Sequence, residues 1–259
     1  MFLAIDVGNT QTTIGLYDAE GGLSHGWRMA TSRTDTADEL RERILGFLVM
    51  DGFGRADVTD AGVASVVPVL SRAWSRCLER MLGSGPLLVG PRTTAGMRVE
   101  MPDPATLGAD RVANAVAARA TYGDPVIVVD FGTATNIDVV DATGAYRGGV
   151  ISPGLMLSAA ALFERAAKLA SVPVEAPGRT LGATTTEAVQ SGLVVGSAAQ
   201  AEGLVARIKA ELAIEGAKVV GTGGLARTVA RATDLFDAVD DDLTLRGIRL
   251  IWLAEGGAR

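Results

Sequence analysis

Leu3-Ala4-Ile5-Asp6-Val7-Gly8-Asn9-Thr10 is the stretch on which the reading of this chain turns. An apolar run too short for a helix stops at an acid and turns over a glycine. It resumes as Thr12-Thr13-Ile14-Gly15-Leu16-Tyr17 and ends at Asp18. Two such runs about a short polar turn predict a β-hairpin. Its tip carries a carboxylate, a bare amide at Gly8 and two polar side chains. Glycine has no Cβ to keep a phosphate off the backbone, and the acid can hold the magnesium that travels with a phosphate, directly or through water. Alone, an acid-x-Gly turn is too common to establish a ligand.

The pattern recurs in Val126-Ile127-Val128-Val129-Asp130-Phe131-Gly132-Thr133-Ala134-Thr135. Ile137-Asp138-Val139-Val140-Asp141 then matches Ile14 to Asp18 with a shift of one residue. Two copies about half a chain apart predict a duplicated domain, with halves at 1–123 and 124–259. Loops facing each other from the two halves would grip a polyphosphate from both sides.

The 259 residues allow one large domain or two medium ones with an ample core. A net charge of −6 argues against non-specific nucleic-acid binding. Cys77 and His25 are single, which excludes an intrachain disulfide and a zinc cluster, and leaves a Ser-His-Asp arrangement only through His25. Cys77 falls on an apolar helical stripe with Leu70, Trp74, Leu78 and Met81 and reads as core packing; His25 reads as an exposed strand residue. No apolar run approaches the roughly 18 residues of a membrane span, and Asp6 interrupts any signal-peptide core. A cytoplasmic protein without a membrane partner is expected.

Each half reads β-β-β-α-β-α-β-α, with an extra helix in the second. In the first, a capping box at Thr36 and Glu39 opens a helix, and the irregular stretch 90–107 leads to Gly108-Ala109-Asp110-Arg111 at the start of another. Asp110 in a first helical turn complements the helix dipole; beside Arg111, after an irregular segment, it also suits an acid facing a cleft. In the second half the strands are expected at 126–130, 135–141 and 145–151. A capping signal at Thr184 to Glu187 opens a long helix to Leu212, and a last helix runs from Leu243 to Ala254. Neither a P-loop nor Gly-x-Gly-x-x-Gly occurs. Phosphate handling must therefore come from hairpin tips and helix N-termini. Thr222-Gly223-Gly224, between a strand and a helix, is either a flat backbone platform for a nucleotide or an ordinary turn.

Asp6-Val7-Gly8-Asn9-Thr10, Gly108-Ala109-Asp110-Arg111, Asp130-Phe131-Gly132-Thr133-Ala134-Thr135, Gly148-Gly149-Val150-Ile151-Ser152-Pro153-Gly154 and Thr222-Gly223-Gly224-Leu225-Ala226 together resemble the type III pantothenate kinases, in order and over essentially the whole chain. The resemblance implies an α/β fold of duplicated ribonuclease-H-like (actin-like ATPase) domains with the nucleotide cleft between them. It implies ATP-dependent phosphorylation of pantothenate to 4′-phosphopantothenate by a homodimer whose interface helps build the pantothenate site.

The same resemblance assigns roles. Asp6, Val7, Gly8, Asn9, Thr10, Gln11, Thr12 and Thr13 form the first phosphate loop, with Asp6 associated with magnesium. Thr133, Gly223 and Gly224 contact ATP, and Asp130 holds a potassium or ammonium ion. Gly108, Ala109, Asp110 and Arg111 bind pantothenate, with Asp110 as the base that takes the hydroxyl proton. Thr185 reaches the substrate, in the partner subunit. Met101 stands where the family usually has a substrate-contacting tyrosine, and a thioether cannot donate that hydrogen bond. Two other readings stay open: a kinase of another small alcohol in the superfamily, and a non-catalytic regulator like the Bvg accessory factors.

Overall fold

A computed structural model describes residues 1–166 and 169–257. In it β1 (Phe2–Val7) and β2 (Gln11–Tyr17) form the expected hairpin, antiparallel, with Val7 opposite Thr12 and Phe2 opposite Tyr17. With β3 (Leu23–Ala30), β4 (Asp60–Ser65) and β5 (Leu87–Leu88) they make a five-stranded sheet in the order β3-β2-β1-β4-β5. The central strand β1 is parallel to β4 and has apolar residues on both faces, which is why it reads as a continuous apolar run. Alternation sends Leu3, Ile5 and Val7 into the core beneath α1 (Ala37–Met50) and α2 (Pro68–Leu82), against Leu40, Ile44, Trp74 and Leu78. The Thr36–Glu39 capping box opens α1; Pro68 at the first turn opens α2, and the left-handed Gly83 closes it.

The opposite face of β1 meets the last helix, α8 (Leu243–Ala254), which buries Leu243, Leu245, Ile248 and Ile251. Phe2 stacks on Trp252 with ring centroids 4.5 Å apart, and Gly62 leaves Ile248 room that a Cβ would take. The first compact unit is therefore discontinuous: Met1–Met97, Pro102–Ala117, and the chain from Leu243 onward. Helix α3 (Ala109–Tyr122) begins in it.

The second unit comprises Arg98–Met101 and Ala118–Asp242. Its sheet, in the order β10-β9-β6-β7-β8, is built from β6 (Val126–Phe131), β7 (Ala134–Val140), β8 (Tyr146–Pro153), β9 (Lys218–Thr222) and β10 (Ala238–Val239). Read from its β8 edge, it repeats the first sheet strand for strand: β6 pairs antiparallel with β7 and parallel with β9, as β1 does with β2 and β4. Its core joins Ile127, Val129 and Phe131 to Leu155 and Ala159 of α4 (Leu155–Arg165). Helices α5 (Thr185–Gln190), α6 (Gly196–Leu212) and α7 (Ala226–Ala230) complete the unit.

Three local expectations change. The long helix after Thr184 is interrupted by a π-helical stretch, Ser191–Val195. Strand β8 continues through Ser152 to Pro153. His25 is half-buried, with its ring edge-on to Phe53 at a centroid distance of 4.8 Å and stacked near Trp27, because β3 faces α1 there.

Candidate active site

The register of β1 and β2 leaves Gly8, Asn9 and Thr10 as the turn. The Gly8 N–H donates to the Gln11 carbonyl at 3.0 Å, so this amide closes the turn and does not stand bare as expected. A Cβ on Gly8 would lie 2.9 Å from that carbonyl oxygen; glycine is required for the tightness of the turn. Asn9, Thr10 and Gln11 are exposed, Asp6 and Thr13 are half-buried, and Val7 and Thr12 are buried. Thr12 Oγ1 shares a hydrogen bond of 2.8 Å with Thr31 Oγ1, and the Thr31 N–H donates to Thr10 O at 3.0 Å. The loop after β3 thus braces the turn from outside.

The Gly108 segment lies in the same unit, near the carboxyl end of β4. The Val66 N–H donates to Val7 O at 3.1 Å, and a Cβ on Gly108 would sit 3.7 Å from Val66 Cγ1. That Cβ would also lie 2.6 Å from Asp110 Oδ1. The carboxyl group folds back over Gly108, so a side chain at position 108 would push it out. Ala109 is buried, while Asp110 and Arg111 are half-buried. Asp110 Oδ1 accepts from the Arg111 N–H at 2.8 Å. Burial raises the Asp110 pKa above the usual carboxylate range, and the Arg111 amide and guanidinium pull it partly back.

In the second unit the β6–β7 turn is Gly132-Thr133, one residue shorter than its counterpart, with the Gly132 N–H donating to Ala134 O at 3.0 Å. Thr133 is exposed and Asp130 half-buried. Gly223, with φ +90°, closes on this turn: a Cβ there would lie 2.3 Å from Asp130 Oδ1 and 2.8 Å from the Phe131 backbone. A Cβ on Gly224 would meet nothing within 4 Å. Gly154, whose N–H donates to Thr133 O at 3.2 Å, approaches so closely that a Cβ would be 2.3 Å from the same oxygen. The quoted run ending at Gly154 thus buttresses the second loop, a role its sequence did not announce.

Thr185 opens α5 behind the Thr184 cap and is exposed. It lines a cavity of about 560 Å³ with Ser158, Leu162, Leu169, Ala188 and Gly192. Met101 is half-buried and belongs to the Arg98–Met101 segment, which is held to the second unit by Val99 bridging to Tyr146 and by Glu100 paired with Arg147. The structure therefore brings Asp6 through Thr13 and Gly108 through Arg111 together in one unit. Asp130, Thr133 and Gly223 stand together in the other.

Among the described residues no three His, Cys, Asp or Glu side chains gather as a metal cluster. A magnesium ion held by one or two carboxylates and completed by substrate phosphates needs none. The single carboxylates of Asp6 and Asp130 have the chemistry of that kind of oxygen-ligated cation, and a side chain at position 223 would run into Asp130 Oδ1.

A family profile described as type III pantothenate kinase matches residues 2–207. Type III pantothenate kinases of Listeria welshimeri and Geobacillus kaustophilus are each 41% identical over 252 residues; these cover 97% of this chain in both cases, and 96% and 97% of the relatives. Among solved structures, a conserved putative Baf family transcriptional activator from Campylobacter jejuni is similar at a TM-score of 0.62 and 18% identity, covering 98% of both chains. The activator of 2-hydroxyisocaproyl-CoA dehydratase from Clostridium difficile, solved with bound ADPNP, is similar at 0.57 and 13%, covering 98% of this chain and 95% of that one. A putative N-acetylmannosamine kinase from Listeria monocytogenes reaches 0.53 and 14%, covering 98% and 99%. At such identities the structures speak for the fold alone, duplicated ribonuclease-H-like domains of the actin-like ATPase and sugar-kinase kind.

Proposed function

The chain belongs to the type III pantothenate kinase family, and from that premise we infer how its residues share the work of phosphorylating pantothenate with ATP, the first step towards coenzyme A. Phosphoryl transfer asks a protein mainly for alignment and charge neutralisation. Asp110 is the general base that takes the proton from the primary hydroxyl of pantothenate. One observation carries this assignment: its carboxyl is folded over Gly108 beside Val66, in the unit that holds the first phosphate loop. A pKa raised by burial brings the group closer to the working pH, where a base is more effective.

Residues 6 to 13 bind the phosphates, and Asp6 would hold the magnesium that neutralises their charge. Thr133, Gly223 and Gly224 contact ATP. Asp130 would hold a potassium or ammonium ion in a site without lysine. Gly108 to Arg111 bind pantothenate, with the Arg111 fork available to its carboxylate. Met101 meets the substrate through a thioether and gives up the hydrogen bond that a tyrosine would make. Thr185 reaches the substrate of the partner in a homodimer. Ile151, Met156 and Leu157 are exposed, and Leu162 lies at the cavity that Thr185 lines; such exposed apolar side chains support that assembly with a second copy. The boundary of the duplication in the sequence lies at 123/124, although α8 from the second half packs into the first compact unit, and the enzyme works in the cytoplasm.

The test is a coupled ADP-release assay with pantothenate, magnesium and potassium. Wild-type protein turns over, and Asp110→Asn loses about 10²- to 10⁴-fold in kcat while still binding ATP. A variant within threefold of wild type removes Asp110 from the role of base. Turnover only with another alcohol would change the substrate instead.

A further inference from the structure

The first phosphate loop has no cation of its own: residues 6 to 13 read Asp-Val-Gly-Asn-Thr-Gln-Thr-Thr. A positive group nevertheless stands beside it. Arg33, on the turn between β3 and α1, donates from Nη2 to Asn9 Oδ1 at 3.3 Å. Its side chain is exposed and pairs with no carboxylate among the described residues. The turn that presents it is fixed at both ends. At one, Thr31 bonds to Thr10 and Thr12. At the other, Asp35 is buried and paired with Arg43 at 2.6 Å, and Thr36 caps α1. Between them Ser32 and Thr34 join their hydroxyls at 3.0 Å.

An exposed arginine on a surface loop is ordinarily solvated and idle. This one is held by a braced turn against the tip of the hairpin, and a neutral amide engages only part of its fork. The remaining N–H donors suit phosphate oxygens, which guanidinium groups grip with charge-assisted, often bidentate, bonds.

We propose that Arg33 is a further substrate-contacting residue of the reaction: it grips the terminal phosphates of ATP seated on the Gly8-Asn9-Thr10 turn. It supplies there the positive charge that the loop lacks. The proposal rests on the assignment of residues 6 to 13 as the phosphate loop.

Calorimetric titration of the full-length protein with magnesium-ATP tests it without any need for the acceptor alcohol. Arg33→Gln should raise the Kd for ATP about 10- to 100-fold, the range for a lost hydrogen bond to a charged group. It should also flatten the dependence of Kd on salt, since an ionic contact has gone. The melting temperature of the ligand-free variant should match wild type. A rise in Kd under fivefold, or one with the salt dependence of wild type, overturns the role of Arg33 while leaving the phosphate loop standing. Wild-type protein that binds no ATP would remove both.

Discussion

Replacing Gly247 with alanine should disturb both stability and catalysis, because this residue of α8 packs directly on α3. A Cβ at this position would stand 2.0 Å from Ala113 O, 2.5 Å from Ala113 C and 2.9 Å from Ala113 Cα. A carbon–oxygen contact ordinarily needs about 3.3 Å, so α3 and α8 must part by roughly 1 Å. The neighbouring bond from Thr244 Oγ1 to the buried Asn114 Oδ1, now 2.7 Å, would be stretched beyond use. Overpacking against backbone costs about 3 kcal/mol and the lost bond about 1 kcal/mol. The better helix propensity of alanine returns about 1 kcal/mol. The net loss of about 3 kcal/mol lowers the melting temperature by about 6–12 °C. Asp110 lies in the first turn of α3, and a shift of about 1 Å there costs on the order of 100-fold in kcat. Thermal denaturation followed by circular dichroism and ADP release at 25 °C measure the two effects. A variant that melts within 2 °C of wild type with unchanged kcat would refute the idea that this crossing sets the position of Asp110.

Other measurements bear on single groups. The raised pKa of Asp110 means that its contribution to folding is present below the ordinary aspartate range and lost as pH rises through the higher folded value. Asp110→Asn should therefore melt above wild type at pH 7.5, with the advantage shrinking towards pH 4; a variant less stable throughout would contradict the assigned burial penalty. Asp141 behaves oppositely. Burial pushes its pKa up, but bonds from the Thr143 hydroxyl and amide, Arg147 and the Ala145 amide outweigh it and hold the group well below the usual range. Asp141→Ala should cost about 2–4 kcal/mol at pH 7, with the gap to wild type narrowing as pH falls below 4; a gap independent of pH would exclude the carboxylate as its source. Burial pushes the Cys77 thiol up to about 12, so a disulfide reagent should leave the native protein unlabelled and react on unfolding. Labelling within minutes in native buffer would show that α2 opens locally.

Both hairpins were legible because each states its own geometry: an apolar run, an acid and a glycine two residues on, then a second run. The helix starts at Thr36 and Thr184 were legible for the same reason, since a capping box lies within four consecutive residues. What escaped depends on partners distant in the chain. The apolar face of α8 announces that it is buried but not that it packs against β1 and α3. Asn9 and Arg33 are 24 positions apart, and no local pattern joins them. Gly154 was read as part of a motif, yet its need to be glycine comes from the Thr133 carbonyl, on the turn before β7. The amide of Gly8 was expected to be open because the extra residue in the first turn, which lets it reach Gln11, is a matter of register.

The placement of α8 also orders events during synthesis. The second unit holds all its strands by Asp242, whereas the first must wait for Leu243 to Ala254 to leave the ribosome. At about 5–20 residues per second, that wait from Ala117 to Ala254 lasts roughly 7–27 s. Throughout it Phe2 and the Ala113 side of α3 lack their cover. A nascent chain of this kind matures from its later unit backwards, and a message truncated before codon 243 would yield a protein whose earlier unit can never close.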